Sequence, residues 1–480
     1  MAQAKGILPR GEEGEVYSNP RACGYFIAVK LDPALNRETA EAWLERVSAE
    51  VDKLVARLEP KRGQEKGDKV AAVAVGLAPS FFASGGQPRF DAALEPPAAF
   101  APDAAEFLPN TVPPLSGVAL VDADVLFYVA SVFEARVNEF ITALDAMPEI
   151  TSITFDRGYQ RTDETEPFGY RDGVRNVRRS ERPEVVYVDC EERHLEEPAW
   201  TDGGSYMVFL KIQQHPQTFA AVGDEAARDA IIGRTKDGTR LDLVGQNIDP
   251  KKEPADPVPS LPGSAHVPKA GPRGKHDDTQ IFRRGLPFLE NSGDGQPKVG
   301  LAFCSFQGSL DQFDVVFNDW IANPRFPVDG AGADALLDPA RQLTTFEKAG
   351  FFFVPPHNAE GLAAAVLGKQ PKPRKPKTGR LVVRKKVIDP NDPTKRFERG
   401  GFIFQVINAQ GQPVGPQFTS DSTGRAICPV ELTIGETYTL QETPVPDRQF
   451  EPVQFAMEHK RQQVRVRNIV TAPASPYGSR

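Results

Sequence analysis

Long apolar runs are missing from this chain of 480 residues. None approaches the ~20 residues of a membrane-spanning helix, so no membrane span is expected. The N-terminal stretch MAQAKGILPRGEEGEVY has no basic segment followed by an apolar core, and no twin arginine. Export by an N-terminal signal is therefore not expected, and a cytoplasmic location is. Cysteine is scarce: Cys23, Cys190, Cys304 and Cys428 are widely scattered and form no CxxC. That argues against a zinc knuckle or a disulfide framework and fits a reducing compartment. Cys304 sits in the apolar run VGLAFCSF and reads as a core residue. Positive charge is short overall, with a formal net charge of −8. The deficit is uneven: residues 369–480 carry +9 and residues 1–368 carry −17. The acidic part argues against a nucleic-acid enzyme, and the split suggests two units with different partners.

What is present is ordinary for a globular protein, 40% hydrophobic and 25% charged. A chain this long is expected to form two or three domains. GKQPKPRKPKTG, residues 368–379, reads as a Lys/Pro linker, extended and semi-rigid, with 369–379 as its body. Upstream, YFIAVKL (25–31) reads as a strand. Residues 38–58 read as an amphipathic helix, with Trp43, Leu44, Val47, Val51, Leu54, Val55 and Leu58 on one face. Strands at 69–75 and 118–131, a helix through Phe133, Val137, Phe140, Ile141 and Leu144, and the strand ITSITFDRGY complete a β-α-β-β-α-β order. That is the ferredoxin-like unit. A looser copy follows: strand 205–213, helix 223–232, strands 281–288 and 299–306, and helix 310–321. The expected fold class is thus α+β. Residues 1–368 form two ferredoxin-like halves, about 1–180 and 200–368, able to share one core as a dimeric α+β barrel does. The Pro-rich stretch 249–273 is expected to be an ordered loop that serves a site. Residues 380–480 show short strands between Gly/Pro/Asn turns, the pattern of a small all-β sandwich.

One loop holds chemistry. EPFGYRDGVRN, residues 166–176, places Arg171 and Asp172 between Gly169 and Gly173. Alone it reads as a turn, because glycine takes φ > 0 and aspartate caps its own backbone. Other stretches recur in a specific order: AIIGRTKDG (230–238), SAHVPKAGPR (264–273), IFRRGLPF (281–288) and VGLAFCSFQGSLDQF (299–313). Taken in order, from GxxDG through Ala-His and Arg-Arg-Gly to Gly-Leu-x-Phe, residues 5–356 resemble the dye-decolourising peroxidases, haem enzymes built from two ferredoxin-like halves. His-Val-Pro and Gly-Pro-Arg stand where that family commonly has His-Ile-Arg and Asn-Pro-Arg.

The resemblance implies haem b, one per chain, with hydrogen peroxide as oxidant and a bulky phenol or dye as one-electron donor. Of the six histidines His194, His215, His266, His276, His357 and His459, it singles out His266 as the iron ligand. Ligation would use neutral Nε2, with the other nitrogen donating to a partner such as Asp334; His276 is the rival. Asp172 takes the acid–base role above the iron, and the two glycines let its loop approach the haem face. An aspartate base has a reference pKa of ~4, so acidic pH should favour activity unless the pocket raises it. Arg283 would stabilise the charge that develops during O–O cleavage, with Arg284 as alternative. Leu301 and Phe303 would wall the pocket on that side, Arg234 and Arg273 would pair the haem carboxylates, and Arg171 would face away.

The C-terminal unit resembles the B-type repeats of collagen adhesins, the SpaA-like or prealbumin-like domains, through GGFIFQVINAQGQPV and GETYTLQETPVP. That likeness implies an isopeptide bond between Lys386 (or Lys385) and Asn468, assisted by Glu442 and dependent on their burial. Besides the peroxidase reading, two others fit these features. One is a haem-binding or iron-handling protein. The other is an interaction or compartment-cargo protein tethered by its sandwich to a protein partner. A homo-oligomer is compatible with all three.

Overall fold

Three apolar strands, a more polar fourth and two amphipathic helices build the first unit, in the order expected from their periodicity: strand Cys23–Leu31, helix Arg37–Leu54, strands Ala71–Leu77 and Val125–Ser131, helix Glu134–Asp145 and strand Ile150–Tyr159. The computed structural model describes residues 3–5, 7, 23–56, 71–85, 87–90, 94–101, 115, 117–159, 161, 163–191, 193–250, 253–254, 261–271, 279–292, 296–338, 340–357, 361–368, 378–389, 397–446, 448–458 and 461–470. Of the proposed linker 369–379, residues 369–377 lie outside the described residues, as do Arg273, His276 and His459, while Thr378 and Gly379 are not linker but open the strand Thr378–Ile388. Helix Arg37–Leu54 starts where it does because Asn36 accepts from the Thr39 amide while the Thr39 hydroxyl reaches back to the Asn36 amide. Its buried face is Ala40, Trp43, Leu44, Val47 and Leu54, at helical spacing.

The second unit repeats the plan with strand Ser205–Gln214, helix Glu225–Ile232, strands Leu286–Asn291 and Pro297–Gln307, the helical segment Leu310–Ile321 and strand Thr344–Val354. Three expectations are corrected. Residues 281–288 are not one strand, since Arg284–Gly285 separate Phe282–Arg283 from Leu286–Asn291. Residues 118–131 split, since Val121–Asp124 break the run between Ala119–Leu120 and Val125–Ser131. Residues 315–321 are π-helical rather than α-helical. The final strand, Thr344–Val354, was not anticipated; its last six residues, AGFFFV, are all buried, so no alternation marks it.

Within each unit the second strand is followed across the sheet by the third, the first and the fourth. The two four-strand sheets join where Phe353 pairs with Leu77. At the other end the edge strand Leu286–Asn291 returns towards Ile150–Tyr159. A Cβ on Gly158 would lie 2.7 Å from the Leu286 Cβ, so only glycine permits this approach. The sheet therefore curls into a barrel-like ring. Its inner face carries Phe26, Tyr128, Met207, Phe209, Ala302, Cys304, Phe306 and Phe352, and its outer face packs under the helices. Cys304 is buried, as expected. Lys211 points inward and is neutralised by Asp156 at 2.8 Å and Glu290 at 2.6 Å, tying the two edge strands together. No described helix is long and apolar enough to cross a membrane.

The C-terminal unit is a sandwich. One sheet holds Thr378–Ile388 paired in parallel with Arg461–Val470; the other holds Pro413–Thr419, Ile403–Ile407, Thr437–Glu442 and Val453–Ala456. Leu381, Val383, Phe404, Val406, Leu440, Val464 and Val466 fill the space between. The sandwich rests on the first 368 residues. Glu196 bonds to Arg384 at 2.8 Å and to Arg425 at 3.0 Å, and Arg399 reaches two aspartates of Leu310–Ile321. Burial would raise the Glu196 carboxyl, but Arg425 and Arg384 hold it down to about 2.

Phe209 lies at the centre of the ring, 4.5 Å from the Phe26 ring centroid. Phe209→Ala should destabilise the chain by about 3–5 kcal/mol, the usual range for a buried aromatic truncated to alanine, read by denaturant unfolding. A loss under about 1 kcal/mol would mean that the ring interior is not packed as described.

Candidate active site

The loop Asp163–Val174 is held from below by aromatic packing. Phe168 stacks on Phe219 at 4.3 Å, and the Tyr170 hydroxyl donates to Asp229 Oδ1 at 2.6 Å. Asp229 lies in the helix Glu225–Ile232, which Asp224 caps and Gly233 ends at φ +89°. Phe168, Tyr170, Phe219, Ile231, Ala335 and Leu343 form a small separate core. Glu166 ties the loop to itself: its carboxylate accepts from the Phe168 and Tyr170 amides at 3.0 and 3.1 Å and from Gln214 at 2.7 Å. Burial raises its pKa against these bonds. Sequence reasoning missed Glu166; its position three residues before a left-handed glycine was the available signal. Gly169 and Gly173 adopt φ of +87° and +67°, and a Cβ at either would meet open space. The glycines are therefore required for their dihedral angles, which L-residues adopt only at a cost.

This loop presents Asp172. The side chain is exposed at its tip, yet the protein around it is dense enough to raise its pKa by burial. Two effects oppose that rise: the Gly173 amide donates to Oδ1 at 2.6 Å, and the Arg283 charge lies nearby. Arg283 follows from strand alternation. The Asn176 side chain bridges its backbone, with Nδ2 to the Arg283 carbonyl at 2.7 Å and Oδ1 from the Arg283 amide at 3.1 Å. The Arg283 guanidinium donates to the Arg175 carbonyl. Arg284 points elsewhere, donating to the Ile7 carbonyl at 2.6 Å and lying over the Tyr128 ring. Of the two arginines, Arg283 is the one that shares the field of Asp172. Arg171 packs against Gly238, and its amide bonds to the Lys236 carbonyl.

His266 opens the short helix His266–Ala270. Its Nδ1 lies 2.7 Å from Asp334 Oδ2, and the Asp334 side chain is wholly buried. Asp334 Oδ1 accepts from the Leu336 amide at 2.9 Å. With Nδ1–H donating to this carboxylate, the lone pair of a neutral ring falls on Nε2, on a side chain 43% exposed. The donor set fits an iron ligated by one imidazole. A shallow open depression runs from Arg175, Asn176 and Arg283 to Ala270, Val316 and Trp320. Leu301 and Phe303 share one face of Pro297–Gln307 and are half-buried, while Ala302 and Cys304 point into the ring. Arg234 is otherwise engaged. Its guanidinium forms a fork with the Glu253 carboxylate and donates to the Gly238 carbonyl at 2.9 Å, which satisfies a buried cation within the protein.

A second constellation lies inside the sandwich. Lys385 and Glu442 are almost fully buried, and Lys385 Nζ bonds to Glu442 Oε2 and Asn468 Oδ1. Asn468 Nδ2 donates to Glu442 Oε1 at 2.6 Å. Phe402 and Phe450 flank the ammonium at 4.5 and 5.1 Å. Burial pushes Lys385 down to about 8, with Glu442 opposing. The lysine is Lys385 and not Lys386. Leu381, Val383, Lys385 and Val387 share the inward parity of the strand, and Lys386 has the other.

Residues 163–359 match the family model "Dyp-type peroxidase, C-terminal". Among curated relatives, the deferrochelatase of Yersinia pestis is 32% identical over 149 residues, 30% of this chain and 34% of that protein. A dye-decolorizing peroxidase of Thermobifida fusca is 33% identical over 116 residues, 23% of this chain and 26% of that one. The chain thus spans about a third or less of the length of these relatives. A DyP-type peroxidase from Cellulomonas bogoriensis superposes with a TM-score of 0.55 at 21% identity, over 75% of this chain and 98% of that one. One from the fungus Auricularia auricula-judae gives 0.52 at 16%, over 77% and 98%. These likenesses bear out the ferredoxin-like fold.

Tyr170→Phe would leave the buried Asp229 oxygen without its donor. It should cost about 1–3 kcal/mol in denaturant unfolding, and no measurable loss would remove this anchor from the loop.

Proposed function

We propose that residues 1–368 form a haem peroxidase that uses hydrogen peroxide to oxidise bulky phenols or dyes in one-electron steps, a reading supported by the match of residues 163–359 to the Dyp-type peroxidase C-terminal model. The observation that carries this reading is the pair of prepared groups, His266 with its buried Asp334 and Asp172 in the field of Arg283. Haem would supply the redox chemistry. His266 Nε2 would hold the iron, and Asp334 would keep the imidazole in the tautomer this requires. Asp172 would take a proton from one peroxide oxygen and return it to the departing one. Oδ1 is engaged by Gly173, so Oδ2 is the atom that would move the proton. Arg283 would offset negative charge on the departing oxygen. Leu301 and Phe303 would exclude water from that wall. Arg273 is proposed as a partner for a haem carboxylate; Arg234 could serve only by giving up Glu253.

His266→Ala should abolish haem retention, followed by Soret absorbance after gel filtration; full retention would end the ligand assignment. Asp172→Asn should retain haem and slow the reaction with peroxide by about 10²–10⁴-fold in stopped flow. The pH dependence has a definite sign. Asp172 works as its carboxylate, and burial raises its pKa, so the rate falls as pH falls through a midpoint above the ordinary ~3.9. A rate that instead rises steadily to pH 3 would contradict the assignment of Asp172 as base.

The likeness to a deferrochelatase favours haem handling with iron release as the second reading. Turnover of a phenol with peroxide supports the first reading. Free iron and intact porphyrin without turnover support the second.

For the sandwich, we propose a Lys385–Asn468 isopeptide bond in a SpaA-like domain. Lys385 Nζ attacks Asn468 Cγ, a new C–N bond forms, the Cγ–Nδ2 bond breaks and ammonia leaves. Glu442 takes the lysine proton and delivers it to the leaving nitrogen. The intact mass should be lower than the sequence mass by one ammonia, and Glu442→Gln should restore the full mass. An unshifted wild-type mass would leave the three residues as a buried hydrogen-bonded cluster.

A further inference from the structure

The segment Leu310–Ile321 carries three carboxylates, Asp311, Asp314 and Asp319, and all three meet arginines of the sandwich. Arg384 pairs with Asp311. Arg399 reaches Asp314 Oδ2 at 2.6 Å through its terminal NH2 group and Asp319 Oδ2 at 2.7 Å through Nε. One guanidinium bridging Asp314 and Asp319 needs residues five apart on one face. At 3.6 residues per turn they would stand about 140° apart. Val315–Ile321 is a π-helix, and its i→i+5 bonding, as in Ala322 N–H to Phe317 O at 2.9 Å, brings them into line. The bridge and the π-helix therefore fit each other. Burial would raise the Asp314 carboxyl, yet Arg399 holds it below its ordinary value.

The far end of this π-helix supports the iron-ligand side of the site. The Trp320 and Asn323 carbonyls both accept from Lys269 Nζ, whose side chain is wholly buried in the helix His266–Ala270. The Ile321 carbonyl accepts from the Asp334 amide at 2.9 Å, and Asp334 holds His266. Both supports of His266 are thus anchored within four residues of Asp319.

We infer that Arg399, although it belongs to the C-terminal sandwich, is a positioning residue for His266. It locks the π-helix that carries the supports of Asp334 and of the His266 helix. The sandwich is then a fixed part of the haem site as well as an appended module. This rests on the peroxidase-fold reading of His266 as iron ligand, and the test separates the two.

The test uses the full chain. Arg399→Met removes the charge and keeps the bulk, and Arg399→Lys keeps the charge without the fork. Asp319→Asn is the milder companion, leaving the Arg399–Asp314 pair in place. Near-UV circular dichroism establishes that each variant is folded; if Arg399→Met is not, Asp319→Asn decides. In the haem-free chain, amide exchange across residues 267–271 and 321–323 is expected to quicken about 5–10-fold in Arg399→Met. Asp319→Asn should follow it, with Arg399→Lys nearer wild type. In the haem-loaded chain, transfer of haem to apomyoglobin should quicken by a similar factor. The ferric/ferrous potential should move positive, because a looser Asp334 bond makes His266 a weaker donor. Wild type that takes up no haem would end the peroxidase reading and leave the exchange result to judge Arg399. Unchanged exchange in folded variants would overturn the inference. So would quickened exchange with haem transfer and potential both unaltered.

Discussion

The buried carboxylate of Asp334 is the joint on which the site turns. One oxygen orients His266, the other is fixed by the Leu336 amide, and its own amide hangs from the π-helix through Ile321. Its neighbour Ala335 lies in the same small core as Phe168 and Tyr170, the two aromatics beneath the Asp172 loop. The Ala335 amide also bonds to the Ser264 carbonyl, just before His266. The histidine and the aspartate loop therefore share one packed support. A buried acceptor that lost a partner would carry a penalty of roughly 1–3 kcal/mol, so the arrangement resists partial opening.

Much of this could be read from residue order. The first ferredoxin-like unit is regular because three of its strands are apolar on both faces and its helices keep a clean stripe, as at Trp43, Leu44 and Val47. The GxxDG loop and the Ala-His stretch were legible as motifs, and Asp334 was a workable guess for the histidine's partner. Strand parity could also have chosen Lys385, because it shares a face with Leu381, Val383 and Val387. What stayed hidden depends on contacts distant in sequence. The Arg399 bridge spans 85 and 80 residues, and the π-turn that aligns its aspartates leaves no periodic mark. The engagement of Arg234 by Glu253 was equally invisible, since a guanidinium fork accepts any carboxylate that folding brings near.

The uneven charge has a structural counterpart. The basic C-terminal unit and the acidic remainder are partners of each other at one contact, where Arg384, Arg399 and Arg425 face Glu196, Asp311, Asp314 and Asp319. Buried ion pairs of this kind add little net stability over an apolar contact, but breaking one side is costly. They favour one docking geometry over others.

In the sandwich, the first and last strands, Thr378–Ile388 and Arg461–Val470, lie side by side and parallel through nine register pairs. Tension applied between the start of one and the end of the other would load that ladder in shear. The backbone bonds would then have to yield together instead of unzipping in turn. A covalent link between Lys385 and Asn468 would bypass even that, carrying force directly from one strand to the next and leaving the rest of the sandwich unstretched.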